Sequence, residues 1–442
     1  MADGPAPRSP SDDYAEDYTD DVAAPSPIET RWAQMIRAPR GRAFRAWHHP
    51  EFRIVWSTFV VGQLGFWISF ITFQALMARL TDSDGRWLGL LFFTNFIPML
   101  VFTPFAGIVA DRLERKRIMI VCYALLTVLM SVLAVLAFSG NVTPTTLLPF
   151  AFGIGTIFAF NAPAGQAVVA NSVPAGDLTS AVSLQSAGAN LSRVIGPTVA
   201  APFLTLWNEG TAFALYAVTS VVVVWRLRRV NLSTYEPEEH VGSFWLRLRG
   251  GFDHARERPP ALAALSVLCM SSLFAAGYLA LLPVLSDQVY GRPRGFTTLA
   301  AVTGFGSMIG ALTTGFREKE PTFTSATLLV AGFGVSLILL GRASSWPVAM
   351  AVMVLVGIFY FSAMTSLNTL IQSLADENKR GRIMSLFVIG WAGLVPIAGL
   401  WQGALAQRHG VQTTITVAGS VTAAYSLLVL VLRRRRRARI PV

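Results

Sequence analysis

The sequence predicts an all-α integral membrane protein with twelve transmembrane helices in two pseudo-symmetric six-helix bundles. Three observations predict it. Of 442 residues, 53% are hydrophobic and only 14% charged, against about 25% charged in soluble domains. The apolar residues gather in runs near the roughly 20 residues that cross a ~30 Å hydrocarbon core as a helix. Short motifs then recur in register between the first and second halves of the chain.

The runs lie at about 55–79, 87–110, 118–138, 146–169, 181–205 and 211–228, then 261–284, 297–316, 323–342, 347–371, 384–405 and 411–432. Lipid offers no hydrogen-bond partner, so each run must close its backbone bonds as a helix; a barrel needs an alternation these runs lack. FAFNA at 158–162 answers FYFSA at 359–363, Ser183-Leu184 answers Ser385-Leu386, Gly210 answers Gly410, and Ser220-Val221 answers Ser420-Val421. Six helices duplicated is the construction of many transporters. The expected organisation is a disordered acidic tail (1–45), an N-terminal bundle (46–228), a linker with an amphipathic surface helix (229–260), a C-terminal bundle (261–432) and a basic tail (433–442).

Of the 36 lysines and arginines, 29 fall on the side of the N-terminus and six on the other, with Arg193 inside the fifth run. The positive-inside rule therefore puts both termini in the cytoplasm of a multi-pass plasma-membrane protein, with the first helix as signal anchor and no cleavable leader. Facing anionic lipid, the net charge of +11 needs no nucleic-acid partner. Cys122 and Cys269, each in an apolar run, read as packing residues, which leaves no disulfide scaffold, metal site or cofactor.

Polar residues inside the runs mark a candidate cavity. Gln63, Trp67, Phe70 and Gln74 share one face of helix 1, and Ser186, Asn190, Arg193 and Pro197 one face of helix 5. With Asn161 and Gln166 on helix 4, Tyr278 on helix 7, Tyr360 and Asn368 on helix 10 and Trp391 on helix 11, they make aromatic walls with sparse amides, which suit an amphiphilic small molecule. Arg193 is the single formal charge deep within a run. It either binds an anionic or polar substrate group or bonds carbonyls and polar groups of neighbouring helices. No Asp, Glu or His lies in the central part of any run, so an intramembrane carboxylate relay is not expected, and coupling to a proton stays open.

Between helices 2 and 3 the chain reads GIVADRLERKRIM, residues 107–119. It resembles the cytoplasmic signature of the major facilitator superfamily, matching at Gly107, Asp111, Arg112, Arg115 and Lys116. Glu114 stands where that signature has a second glycine, a departure shared with the secretion-effector branch, which includes siderophore and macrolide exporters. DENKRGRIMSL before helix 11, with Arg380, Gly381 and Arg382, resembles the same branch, whereas Thr314 occupies the Asp111 position of the second half. The resemblance covers about 50–432. It implies that these residues latch the halves in an outward-facing state, with Gly107 admitting a neighbouring helix. Gly196-Pro197 followed by Ala200-Ala201 resembles the antiporter motif of drug exporters, although small residues with proline also suit plain packing; here they are expected to seat helix 5 on Gly306 and Gly310 of helix 8.

The expectation is a monomeric secondary exporter of a siderophore, hydrophobic drug or secondary metabolite, with an uptake permease or lipid flippase of the same fold as the alternative. No catalytic cluster or phosphate-binding loop occurs in the runs, which argues against an enzyme or nucleotide-driven pump.

Overall fold

The computed structural model describes residues 44–206, 208–230, 252, 256–315, 320–375 and 380–437. Among them the elements are helical throughout. The first half holds α1 (Pro50–Leu80), α2 (Gly85–Arg112), α3 (Arg115–Phe138), α4 (Pro144–Asn171), α5 (Leu178–Leu206) and α6 (Glu209–Arg229). The second holds α7 (Pro259–Val289), α8 (Phe296–Gly315), α9 (Phe323–Arg342), α10 (Trp346–Ser373), α11 (Arg380–Val388, Ile389–Gly393 and Leu394–His409 in succession) and α12 (Val411–Arg437).

Eleven of these helices are long and apolar enough to cross a bilayer. The twelfth, α5, has 29 residues but carries Gln185, Asn190 and Arg193 within its apolar sequence. Its polar residues lower its mean apolarity, and two of them, Gln185 and Arg193, turn to the space between the halves. The opposite holds for α3, whose Val121, Leu125, Val128, Val132 and Val135 are exposed at spacings of four and three, a helical stripe for acyl chains. The halves repeat their pairings: α3 packs on α6 as α9 on α12, and α2 on α4 as α8 on α10. They meet along α2–α11 and α5–α8.

Three sequence expectations change. Gly306 and Gly310 of α8 face α10, because a Cβ on them would stand 2.1 Å from the Val354 carbonyl oxygen and 2.7 Å from that of Ile358. α5 does pack on α8 as expected, but Gly196 itself seats α5 against Trp67 of α1, with a Cβ there only 2.4 Å from the Trp67 Cβ. The last helix continues to Arg437, where Arg433 stacks 4.0 Å over the Phe323 ring. The acidic tail and the linker's expected surface helix lie outside the described residues.

Helix regularity differs between halves. α1 runs 31 residues without interruption. α7 passes into π-helical turns at Ser271–Ala275 and Leu285–Val289, and α11 at Ile389–Gly393. Such turns displace backbone carbonyls from the regular ladder, and in a membrane these need other donors. Trp401 of α11 donates its indole N–H to the Leu273 carbonyl at 2.9 Å, and Gln402 donates its amide to that of Phe274.

Candidate substrate cavity

A cavity of about 930 Å³ lies between the halves. Its first-half wall is an aromatic cluster in which Phe66 lies 4.5 Å from Phe158, Phe70 lies 5.6 Å from Phe96 and Phe92 lies 4.8 Å from Phe96, centroid to centroid. The Phe70–Phe96 pair meets edge to face and the other two are tilted, contact geometries favourable to aromatic rings. The second-half wall carries hydroxyls and amides: the Trp391 indole donates to the Tyr360 hydroxyl at 3.3 Å, and Gln372 donates to Asn368.

Of the twelve residues that sequence reasoning places in a cavity, eleven line this one: Gln63, Trp67, Phe70, Gln74, Asn161, Gln166, Arg193, Tyr278, Tyr360, Asn368 and Trp391. Asn190 does not. Its amide donates to the Ser186 carbonyl at 3.0 Å, and Ala189 takes the lining position between Ser186 and Arg193. Pro197 lines the cavity as well, Ala200 is buried behind it, and the Ala201 side chain lies outside the described residues.

Sequence reasoning missed Tyr123, Tyr216, Gln185 and Gln372 in the lining. The tyrosines come from the peripheral helices α3 and α6 and reach inward past glycines of α1. A Cβ on Gly62 would fall 1.9 Å from the Tyr123 hydroxyl oxygen, and one on Gly65 would fall 2.0 Å from the Tyr216 ring. The Tyr216 hydroxyl donates to the Gly62 carbonyl at 3.4 Å, and that of Tyr123 meets the Asn161 side chain. Gly62 and Gly65, three residues apart on α1, were the readable signal.

Arg193 projects into the cavity with its guanidinium carbon 5.5 Å from the centre of the Trp67 ring, a cation–π arrangement. Its Nε is buried without a hydrogen-bond partner, so the bonding of Arg193 to backbone carbonyls that sequence reasoning left open is not what occupies this nitrogen.

One end of the cavity is sealed. At the α1–α2 turn, Asp82 and Ser83 take left-handed φ values of 49° and 58°, costly for residues with a Cβ. The turn is held from the other half: the Ser83 hydroxyl donates to Asp287 at 2.6 Å, Gln288 donates to the Ser83 carbonyl at 3.1 Å, and the Gly85 amide donates to Gln407 at 3.3 Å. Behind the turn α2 and α11 approach backbone to backbone, since a Cβ on Gly89 would stand 2.4 Å from the Gly399 carbonyl oxygen and one on Gly403 2.1 Å from that of Gly85.

The residues expected to form a latch stand at the other end of α2. A Cβ on Gly107 would meet nothing within 4 Å, so the expected close approach of a helix there is absent in this conformation. Lys116 donates to the Val230 carbonyl at 2.7 Å, tying α3 to the end of α6. Arg112 is exposed, and Arg115 begins α3. Glu114, the departure from the signature, pairs with Arg117 at 2.6 Å. In the second half Thr314 turns back on its own helix, donating to the Gly310 carbonyl at 2.7 Å. Arg380, Gly381 and Arg382 begin α11. Their side chains and that of Asp111 lie outside the described residues.

Known proteins agree with this architecture. The staphyloferrin A transporter of Staphylococcus aureus is 24% identical over 378 residues, 84% of this chain and 94% of that protein. Macrolide efflux protein A of Streptococcus pyogenes is 25% identical over 392 residues, 84% and 93%. Among solved structures, the fold is shared with the nucleoside transporter NupG (TM-score 0.69, 13% identity, 86% of this chain and 98% of that one). It is shared also with a bacterial homologue of the human lysosomal transporter Spinster, inward-facing and unoccupied (TM-score 0.66, 14% identity, 86% and 97%). The transmembrane secretion effector family matches residues 42–439, nearly the whole chain, and the protein therefore belongs to that family of major facilitator transporters.

Proposed function

We propose that this transporter exports a small amphiphilic compound, a siderophore or a hydrophobic drug or secondary metabolite, by alternating access around the cavity between its halves. The observation that carries the reading is the cavity itself, large enough for a drug-sized molecule, lined by aromatic rings and amides from both halves and sealed at one end. With both termini cytoplasmic, as the lysines and arginines indicate, the sealed α1–α2 end faces outward and the cavity opens inward. The latch segment 107–119 then lies at the open end, where it closes in the outward-facing state, and the free space at Gly107 belongs to the disengaged latch. Relatives named for a siderophore and for macrolide efflux support the substrate range.

The test is untargeted mass spectrometry of spent medium and cell extract from the native host with and without the gene, in iron-rich and iron-poor growth. The expected result is a compound that disappears outside and accumulates inside on deletion. A compound that instead persists in the medium of the deletion strain reverses the direction to uptake.

A further inference from the structure

Arg193 is a charge in search of a partner. It is the single formal charge deep within any span, its guanidinium projects into the cavity over Trp67, and its buried Nε has no hydrogen-bond partner. No carboxylate forms an ion pair with it among the described residues. An uncompensated guanidinium at membrane depth is costly and persists where it does work. A planar cation with unused donors is matched by a carboxylate, sulfonate or phosphate, which accepts two parallel hydrogen bonds. Trp67 is edge-to-face with Phe66 and Phe70 at 5.7 Å and 5.8 Å, so the cation adjoins the aromatic wall that continues to Phe96 and Phe158. One molecule can place a negative group on Arg193 and an apolar body against that wall.

The same residues bear on what drives transport. The central parts of the spans contain no Asp, Glu or His, and among the described residues none of these lines the cavity, so no carboxylate or imidazole there exchanges a proton near neutral pH. Proton exchange at the binding site has no carrier. An anionic cargo brings its own coupling, because a membrane potential negative inside drives negative charge outward. We propose, building on the exporter reading, that the cavity takes an anionic amphiphile held by Arg193 and the phenylalanine wall, and that the membrane potential rather than a proton gradient powers its export.

The probe is 1-pyrenesulfonate, a permanent anion, against neutral 1-pyrenemethanol with the same ring, each titrated into the purified full-length protein and read by energy transfer from tryptophan. The anion is expected to bind at least about tenfold more tightly than the alcohol, as a charge-assisted hydrogen bond provides. Arg193→Gln is expected to collapse the ratio of the two affinities towards one, and Arg193→Lys to keep only part of it. Equal affinities in the unmodified protein, or an unchanged ratio in Arg193→Gln, overturn the site. The unmodified protein and Arg193→Lys decide the matter if Arg193→Gln does not fold.

In proteoliposomes loaded with 1-pyrenesulfonate, a potassium gradient with valinomycin that makes the interior negative is expected to speed release several-fold, and a pH gradient alone to leave it unchanged. Release that follows the pH gradient and ignores the potential overturns the energetic claim. A cationic pyrene, N,N,N-trimethyl-1-pyrenemethanaminium, separates this inference from the reading beneath it. If the cation is carried and the sulfonate is not, the transporter stands and the anion site falls; if neither outpaces protein-free vesicles, both fall.

Discussion

The two halves repeat one set of helix pairings with different materials. α1, in the first half, is a continuous helix whose inward face is aromatic. α7, its counterpart, leaves the α-helical ladder at Ser271–Ala275 and again at Leu285–Val289. Arg193 and the phenylalanine wall belong to the first half, and the freed carbonyls with their side-chain donors belong to the second. A regular helix holds its side chains in fixed register, which suits a binding wall that must be preorganised. A π-turn has hydrogen bonds that can be exchanged for others at small cost, which suits an element that bends. On the proposed transport reading, this difference would give the first half the larger part in holding cargo and the second the larger part in changing shape around it.

The largest effect is expected where α7 is broken. Gly277 follows the first π-turn, and a Cβ on it would stand 2.6 Å from the Gln402 side-chain carbon and 2.8 Å from the Ala398 carbonyl carbon. Backbone cannot step aside, so Gly277→Ala is expected to destabilise by about 2–3 kcal/mol despite the helix propensity alanine adds. Thermal unfolding in detergent, followed by tryptophan fluorescence, checks it. A melting temperature equal to that of the unmodified protein means that α7 tolerates a regular helix and the division between halves is wrong.

Gln402→Leu is expected to cost less, about 1 kcal/mol. It strips the Phe274 carbonyl of its donor, a loss of about 1–3 kcal/mol for a buried group. It also removes the Gln402 Oε1, which is itself buried without a partner, and that gain offsets part of the loss. Because the alanine methyl of Gly277→Ala displaces the same amide, the double variant should lose less than the sum of the two singles. Additive losses would show that Gln402 and Gly277 act independently.

The helices, their number, the duplication and the polar part of the cavity lining were legible in the sequence, because lipid imposes an apolar length and a polar residue within it stands out; the phenylalanine wall of Phe66, Phe92, Phe96 and Phe158 was not. Arg193, Gln63 and Gln74 are conspicuous for that reason. What escaped depends on which helix sits beside which. Gly306 and Gly310 signal a close neighbour but do not name α10, and Tyr123 and Tyr216 become cavity residues only because two glycines of α1 let them through. Asn190 was misplaced because an ideal four-residue step chose it over Ala189, whereas the lining follows the three-residue step. The π-turns left traces in Ser271-Ser272, Gly277 and Pro283, which an apolar-run search passes over since each is tolerated within a membrane helix. Gly107 shows a different limit: the resemblance implies a close contact there, and a Cβ on it meets nothing within 4 Å in this conformation.

The smallest stability effect is expected in the unbroken helix, and it tests the comparison from the other side. Gly62→Ala places its Cβ 1.9 Å from the Tyr123 hydroxyl oxygen and 3.0 Å from the carbon bearing it. That hydroxyl is the far end of a side chain, and the ring can swing aside at a cost of about 1 kcal/mol in rotamer strain. Alanine in the interior of a regular helix returns about 1 kcal/mol, so the melting temperature should scarcely move. The chemistry at the wall should move, because the displaced tyrosine leaves Asn161 and intrudes on the cavity. Tyr123→Phe added to Gly62→Ala removes the hydroxyl in the way, and the pair should be at least as stable as Gly62→Ala alone. If the single variant instead unfolds as readily as Gly277→Ala, then α1 is as tightly constrained as α7, and regularity alone does not distinguish the half that holds from the half that bends.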